Sequence, residues 1–212
     1  MVVGMELARA VAARRMVRSF SGTPVRREVL EDLLGLAIRA PSAGNTAGRE
    51  LVVLEGTETG RYWNATTTPA WRETSRRWPG LSKAPVAVVV LVSPESYMKR
   101  YAEPDKVQSS LGPESGENAW PVPYWYFDAG ASVMALLLGA TDVGLGACFL
   151  GNFRGEAELL DALGVADSWR FAGTVLIGEP GGDDPPSASV SLGRPQASRV
   201  VHYGTWSRRD RE

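Results

Sequence analysis

Ala84 to Val92 is an unbroken apolar run, and five of its nine residues are valine. Its length and β-branched content predict a strand buried on both faces, with Pro85 near its start and Pro94 just beyond it as punctuation. Such a strand belongs at the centre of a sheet, so the rest of the chain must supply a layer on each side. The run is also the longest of its kind, far short of the roughly 20 residues needed to cross a bilayer. No membrane span is expected.

Around it the spacing is largely helical. Leu7, Ala8, Val11 and Ala12 predict an amphipathic helix over Met5 to Arg15, and Val29, Leu30, Leu33, Leu34, Ala37 and Ile38 a stronger one that Pro41 stops. The turn-prone Pro41 to Gly48 runs into a short strand at Leu51 to Leu54. Gly56 to Gly80, with Trp63, Trp71 and Trp78, reads as a loop leading into a helix. Tyr124 to Thr141 is apolar all round and predicts a buried central helix. Gly144 to Gly151 reads as a turn and short strand, Glu156 to Leu163 as a helix closed by Gly164, and Phe171 to Ile177 as a strand. The weakly periodic Ser93 to Pro123 is an insertion or lid-like connection. After the Gly/Asp/Pro loop from Glu179 to Pro186 comes a C-terminal arm, about 193–212, with a charged and frayed end. This order predicts a single α+β domain over 1–212 with a mixed sheet and helices on its faces.

Rare residues exclude much chemistry. Cys148 is the single cysteine and His202 the single histidine, so an internal disulfide and a multi-histidine metal site are impossible and no metal centre is expected. With 23 basic and 24 acidic residues the net charge is −1, which argues against nucleic acid or an acidic membrane as partner. The first residues do not resemble a secretory h-region, so a cytoplasmic protein is expected. Gly144-Leu-Gly146 does not complete a dinucleotide fingerprint, and no phosphate-loop Gly-Lys-Ser/Thr occurs. Cys148, between Ala147 and Phe149, suits an inert buried thiol.

Only lysines 83, 99 and 106 interrupt an otherwise all-arginine set of cations, and position must decide which of these matter. The cluster RRMVRSF, Arg14 to Phe20, is explained by itself as cations at a helix C-terminus. On a continued helical turn, however, Arg14 and Arg18 share one face with Arg15 beside them, and converging guanidinium forks suit a phosphate. Pro41 to Asn45, PSAGN, is a turn whose backbone amides and Asn45 carboxamide could equally grip the polar edge of a planar heterocycle.

RRMVRSF after a short helix, APSAGN leading into a strand, GLGACFLGNF after a long buried helix, and IGEP before a basic arm occur in one chain in that order. Together they resemble the FMN-dependent nitroreductase family over nearly the whole chain, apart from the Trp-rich stretch and the Ser93 to Pro123 connection. The resemblance implies a three-layer α-β-α sandwich with a central mixed, mostly antiparallel sheet, in an intertwined homodimer with sites at the interface.

By the same resemblance, Arg14, Arg15 and Arg18 match the cluster holding the FMN phosphate and approaching the pyrimidine side of the flavin. Met16 stands where Ser or Thr is usual. Pro41, Ser42, Ala43, Gly44 and Asn45 match a loop reaching the flavin from the partner subunit. Ala47-Gly48-Arg49 replaces the family's usual Gln-Pro-Trp, which removes an amide and an aromatic. Leu150 and Gly151 match the segment whose backbone amide faces flavin N5, and Arg194 the C-terminal residue closing over the phosphate. Trp120, Tyr124 and Trp125 stand where relatives gate the substrate, although core or dimer contacts suit these aromatics equally well.

The implied activity is FMN-dependent reduction of a nitroaromatic, quinone-like or other planar acceptor, with NAD(P)H as co-substrate and no catalytic side chain, because a flavin carries the hydride chemistry itself. The alternatives are a non-enzymatic flavin-binding or storage protein and a specialised flavin-dependent dehydrogenase of the same family.

Overall fold

The computed structural model describes residues 5–106, 109–152 and 154–207. Strands β1 (Arg49–Glu55), β2 (Val86–Val92), β3 (Gly146–Leu150) and β4 (Arg170–Gly178) form one sheet in the order β1-β2-β4-β3. Every neighbouring pair of these strands is antiparallel. The parallel component of the expected mixed sheet is an isolated bridge, Met16 to Ala147, on the outer side of β3.

The apolar run becomes β2, and all seven of its residues are buried. Val86, Val88, Val90 and Val92 face one core with Leu30, Leu33 and Ala37 of α2 (Arg27–Ile38) and Leu136, Leu137 and Ala140 of α7 (Tyr124–Asp142). Ala87, Val89 and Leu91 face a second core with Tyr62 and Trp63 of α3 (Thr59–Thr66), Leu159 of α8 (Glu156–Leu163) and Phe20. The two-residue alternation of a strand thus splits one run between two cores, each buried Val contributing about 1.5–3 kcal/mol. The result is helices, sheet, helices in three layers. Gly164, at φ 67°, closes α8 in the left-handed conformation, as the sequence suggests.

Three segments differ from the sequence expectation. Helix α1 (Leu7–Ala13) ends before the arginines: Arg14 turns extended at φ −57°, ψ 124°, and Met16 pairs with β3. Arg14 and Arg18 therefore share a side through extended-chain alternation and not through a helical turn. The Trp-rich stretch holds three helices, α3, α4 (Pro69–Thr74) and α5 (Trp78–Leu81), where a loop and one helix were expected. Thr68 caps α4 by accepting from the Trp71 N–H, with Pro69 in the first turn, and Trp78 packs edge-on against both Trp63 and Trp71. The 93–123 connection begins with α6 (Pro94–Tyr101), capped by Ser93, and returns to the core through Trp120, which is 6% exposed. The arm beyond β4 includes a short α9 (Ala197–Val200) and is exposed throughout 193–201.

Candidate functional site

The arginine segment runs along the edge of β3. Val17 donates its N–H to Ala147 O at 2.9 Å, and the Phe149 N–H donates to Met16 Sδ at 3.4 Å. The parallel bridge sets Arg14 near Leu145 and Arg18 near Phe149. The strand then carries the chain on to Leu150 and Gly151. From position 145 to 150 an extended chain rises about 17 Å, so the arginines run along an elongated strip and the Leu150 and Gly151 backbone lies just past Arg18.

Asp184, on the loop after β4, lies against two of these arginines. Its Oδ2 accepts from Arg15 Nη1 at 2.5 Å and from the Arg18 N–H at 3.2 Å, and its side chain is only 6% exposed. Arg18 Nη1 donates to Met16 O at 3.2 Å. Arg14 Nη1 is buried without any hydrogen-bond partner. A charged donor left so costs several kcal/mol unless an anion meets it. Arg76, Arg77 and Lys83 join Arg18 around a groove of about 790 Å³, opposed by Asp183 and Asp184. Sequence reasoning passed over Arg76, Arg77, Lys83 and Asp184. Their signal was thin, a basic pair before Trp-Pro-Gly and an acidic pair inside a Gly/Pro loop.

The Pro41–Asn45 segment makes a 3-10 turn over Ala43–Asn45, with Asn45 exposed at φ 55°. Asn tolerates that left-handed conformation better than most residues. The segment leads into β1, at the opposite edge of the sheet from β3 and the arginines. Three strand spacings, about 14 Å, separate β1 from β3, and the arginine segment lies one spacing further out. One chain does not bring them together.

At the far end of β3, Leu150, Gly151 and Asn152 line a cavity of about 220 Å³ with Tyr62, Trp63 and Trp71. Tyr62 donates to Asn152 Oδ1 at 3.1 Å, and burial pushes its phenol up to about 12. Trp63 Nε1 and Asn152 Nδ2 are buried without partners. Cys148 is fully buried, and desolvation raises its thiol above the ordinary value despite nearby Arg18, which fits the inert role expected of it.

Of the aromatics expected near a substrate, Trp120 and Trp125 are buried, at 6% and 5% exposure, and stack edge-on with Tyr97. Their rings offer almost no surface to a ligand within one chain, whereas Tyr124 is 38% exposed. Arg194 stands exposed on the arm, away from any ion pair among the described residues. His202 lies on the same arm with Nδ1 3.4 Å from the Ser207 N–H. Among the described residues no cluster of His, Cys, Asp or Glu could hold a metal ion.

The fold is a three-layer α+β sandwich with an arginine segment along the edge strand β3 and an unpartnered Arg14 Nη1 within it. The chain belongs to the nitroreductase family, whose model matches residues 11–179. A relative from Archaeoglobus fulgidus, provisionally named an NADH dehydrogenase/NAD(P)H nitroreductase, is 24% identical over 82% of this chain and 86% of its own. Among solved structures, a nitroreductase family protein from Clostridium novyi NT aligns with TM-score 0.65 at 22% identity, over 84% of this chain and 87% of that one. A provisionally assigned nitroreductase from Desulfovibrio desulfuricans, solved in complex with FMN, aligns with TM-score 0.65 at 21% identity, over 96% and 99%.

Proposed function

We propose that this protein is an FMN-dependent oxidoreductase that accepts hydride from NAD(P)H and passes it to a planar acceptor such as a nitroaromatic or quinone. The observation that carries the reading is the buried, unpartnered Nη1 of Arg14 in an arginine segment laid along β3. A cofactor phosphate with nearly two negative charges answers that demand. The residues present fit FMN: Arg14, Arg15 and Arg18 would hold its phosphate and adjoining polar edge, with Arg194 closing from the arm, and the backbone at Leu150 and Gly151 would face the ring. When bound, the flavin supplies the hydride chemistry, which is consistent with the scarcity of catalytic side chains. The protein's own work is to neutralise the phosphate, fix the ring plane and exclude water through the apolar walls at Trp63, Trp71 and Leu150.

A homodimer is part of this reading. The Pro41–Asn45 loop and the arginine strip lie at opposite sheet edges, so a site using both draws them from two copies. Leu7, Val11, Leu36, Ile38 and Phe127, between 46% and 72% exposed, supply apolar surface for such a contact. We place this dimer in the cytoplasm; among the described residues no helix is long and apolar enough to cross a membrane.

The test is FMN titration of purified protein followed by stopped-flow absorbance of the flavin band against NADH and NADPH. Stoichiometric FMN binding and rapid bleaching are expected, with Arg14→Ala losing the cofactor. A protein that binds no FMN overturns the proposal. Binding without reduction by either nucleotide overturns the activity and points to flavin storage.

A further inference from the structure

We infer that Arg49 and Asp128 are positioning residues that set the Pro41–Asn45 loop in the conformation it presents to the flavin of the partner subunit. The inference rests on the functional reading above and concerns residues outside the strip that would hold the phosphate. It arises from Ala47-Gly48-Arg49, a stretch where this chain departs from the pattern it otherwise resembles.

Three backbone groups in and beside the loop are each tied by a side chain from a different element. Arg49 Nη2, from β1, donates to Ala40 O at 2.7 Å. Asp128 Oδ2, from α7, accepts the Ala43 N–H at 2.8 Å. Arg100 Nε, from α6, donates to Gly44 O at 2.8 Å. Arg49 also binds α7 directly, its Nη1 donating to Asp128 O at 2.8 Å and to Ser132 Oγ at 2.7 Å. Ser132 in turn donates to Ala37 O, in the last turn of α2, at 2.9 Å. One planar guanidinium therefore joins Ala40, just past the end of α2, to the start of β1 and to α7, and Ala40 O lies where a helix end leaves carbonyls without an intrahelical partner. The two-armed geometry is specific to arginine, since an ammonium cannot span both sides.

Gly48 and Tyr97 complete the arrangement. The Tyr97 hydroxyl donates to Asp128 Oδ2 at 2.6 Å, and a Cβ on Gly48 would stand 2.4 Å from Tyr97 Cε2. Gly48 thus makes room for the ring that orients Asp128. With its neighbours fastened, Asn45 is left exposed at the tip with no side-chain hydrogen bond among the described residues. Holding the backbone around Asn45 in place before any ligand arrives removes part of the ordering cost from binding.

The experiment compares wild type with Arg49→Met, Arg49→Lys and Asp128→Asn by amide hydrogen exchange and by FMN titration. Expected are at least about tenfold faster exchange at Ala43 and Asn45 and FMN binding about tenfold weaker in Arg49→Met, with unchanged protection in β2 and β4. Arg49→Lys keeps the charge and loses the fork, so it should behave like Met; rescue by lysine overturns the fork argument. Variants whose loop exchange equals wild type, or whose loosened loop binds FMN as tightly as wild type, overturn the inference. If wild type binds no FMN the functional reading falls, and the loop exchange alone then decides whether the brace exists. Should Arg49→Met fail to fold, the Lys and Asp128→Asn variants carry the same comparison.

Discussion

Met16 Sδ lies 3.4 Å from the backbone N of Phe149 and accepts its hydrogen bond, next to the parallel bridge between Met16 and Ala147. The thioether covers part of the free edge of β3. An exposed strand edge invites pairing with other chains, and this contact closes part of it.

Met16→Leu keeps the volume and removes the acceptor. Unfolding in urea should show a loss of about 1 kcal/mol, with faster amide exchange at Phe149. Exchange at Phe149 unchanged from wild type would mean that the sulfur does not hold that amide.

Asp184→Asn removes a carboxylate that Arg15 and the Arg18 N–H now share. A negative charge beside the arginines opposes an incoming phosphate, so its loss should tighten inorganic phosphate and FMN binding several-fold, most at low salt. Weaker binding at every ionic strength would instead make Asp184 an organiser of the cluster.

Gly48→Ala places a methyl group 2.4 Å from the Tyr97 ring, which is fully buried. A destabilisation of about 1–3 kcal/mol is expected in thermal denaturation, as for other overpacked sites. A variant as stable as wild type would show that Tyr97 is free to move.

Tyr62 is raised by burial from 10.0 to about 12. A phenol with a raised folded-state value contributes stability that is complete below pH 10 and is lost as pH climbs towards 12, because the unfolded chain releases its proton first. Wild type should therefore lose about 2–3 kcal/mol more than Tyr62→Phe across that window. Parallel pH profiles for the two proteins would refute the burial argument. Cys148, raised for the same reason, should resist alkylation at pH 8 until the protein unfolds.

Removal of the chain after Leu192 deletes Val200, Tyr203 and Trp206, which are 56%, 93% and 73% exposed. The fold should survive with its melting temperature little changed at low concentration, while the proposed dimer should give way to single copies in sedimentation. Val200, Tyr203 and Trp206 would add apolar surface to the proposed dimer contact, and a truncated chain that remains dimeric would show that this contact does not need the arm.

The core was legible in the sequence because its signals are local. The valine run of β2 is buried as its spacing dictates, and Gly164 ends α8 through a conformation that depends on a single residue. Helix α2, by contrast, buries Leu30, Leu33 and Ala37 but leaves Ile38 72% exposed, and the helix expected to be buried all round, α7, leaves Tyr126, Phe127 and Met134 exposed. The α6 and α4 starts were readable too, in Ser93-Pro94 and Thr68-Pro69, but weak periodicity afterwards obscured them.

By itself the sequence determined a two-faced central strand, the helices that cover it and the residue types able to meet a phosphate. Tertiary structure alone decided how those residues are used. Residues 14–18 are extended because β3 offers them an open edge, a partner some 130 positions away. Asp184 meets Arg18 across 166 positions, and Asp128 meets Ala43 across 85. Trp120 and Trp125 went to the core because burying two large rings against Tyr97 outweighs leaving them at a pocket mouth. Hydrogen bonds and burial between distant positions depend on the path of the chain, and no local periodicity encodes that path.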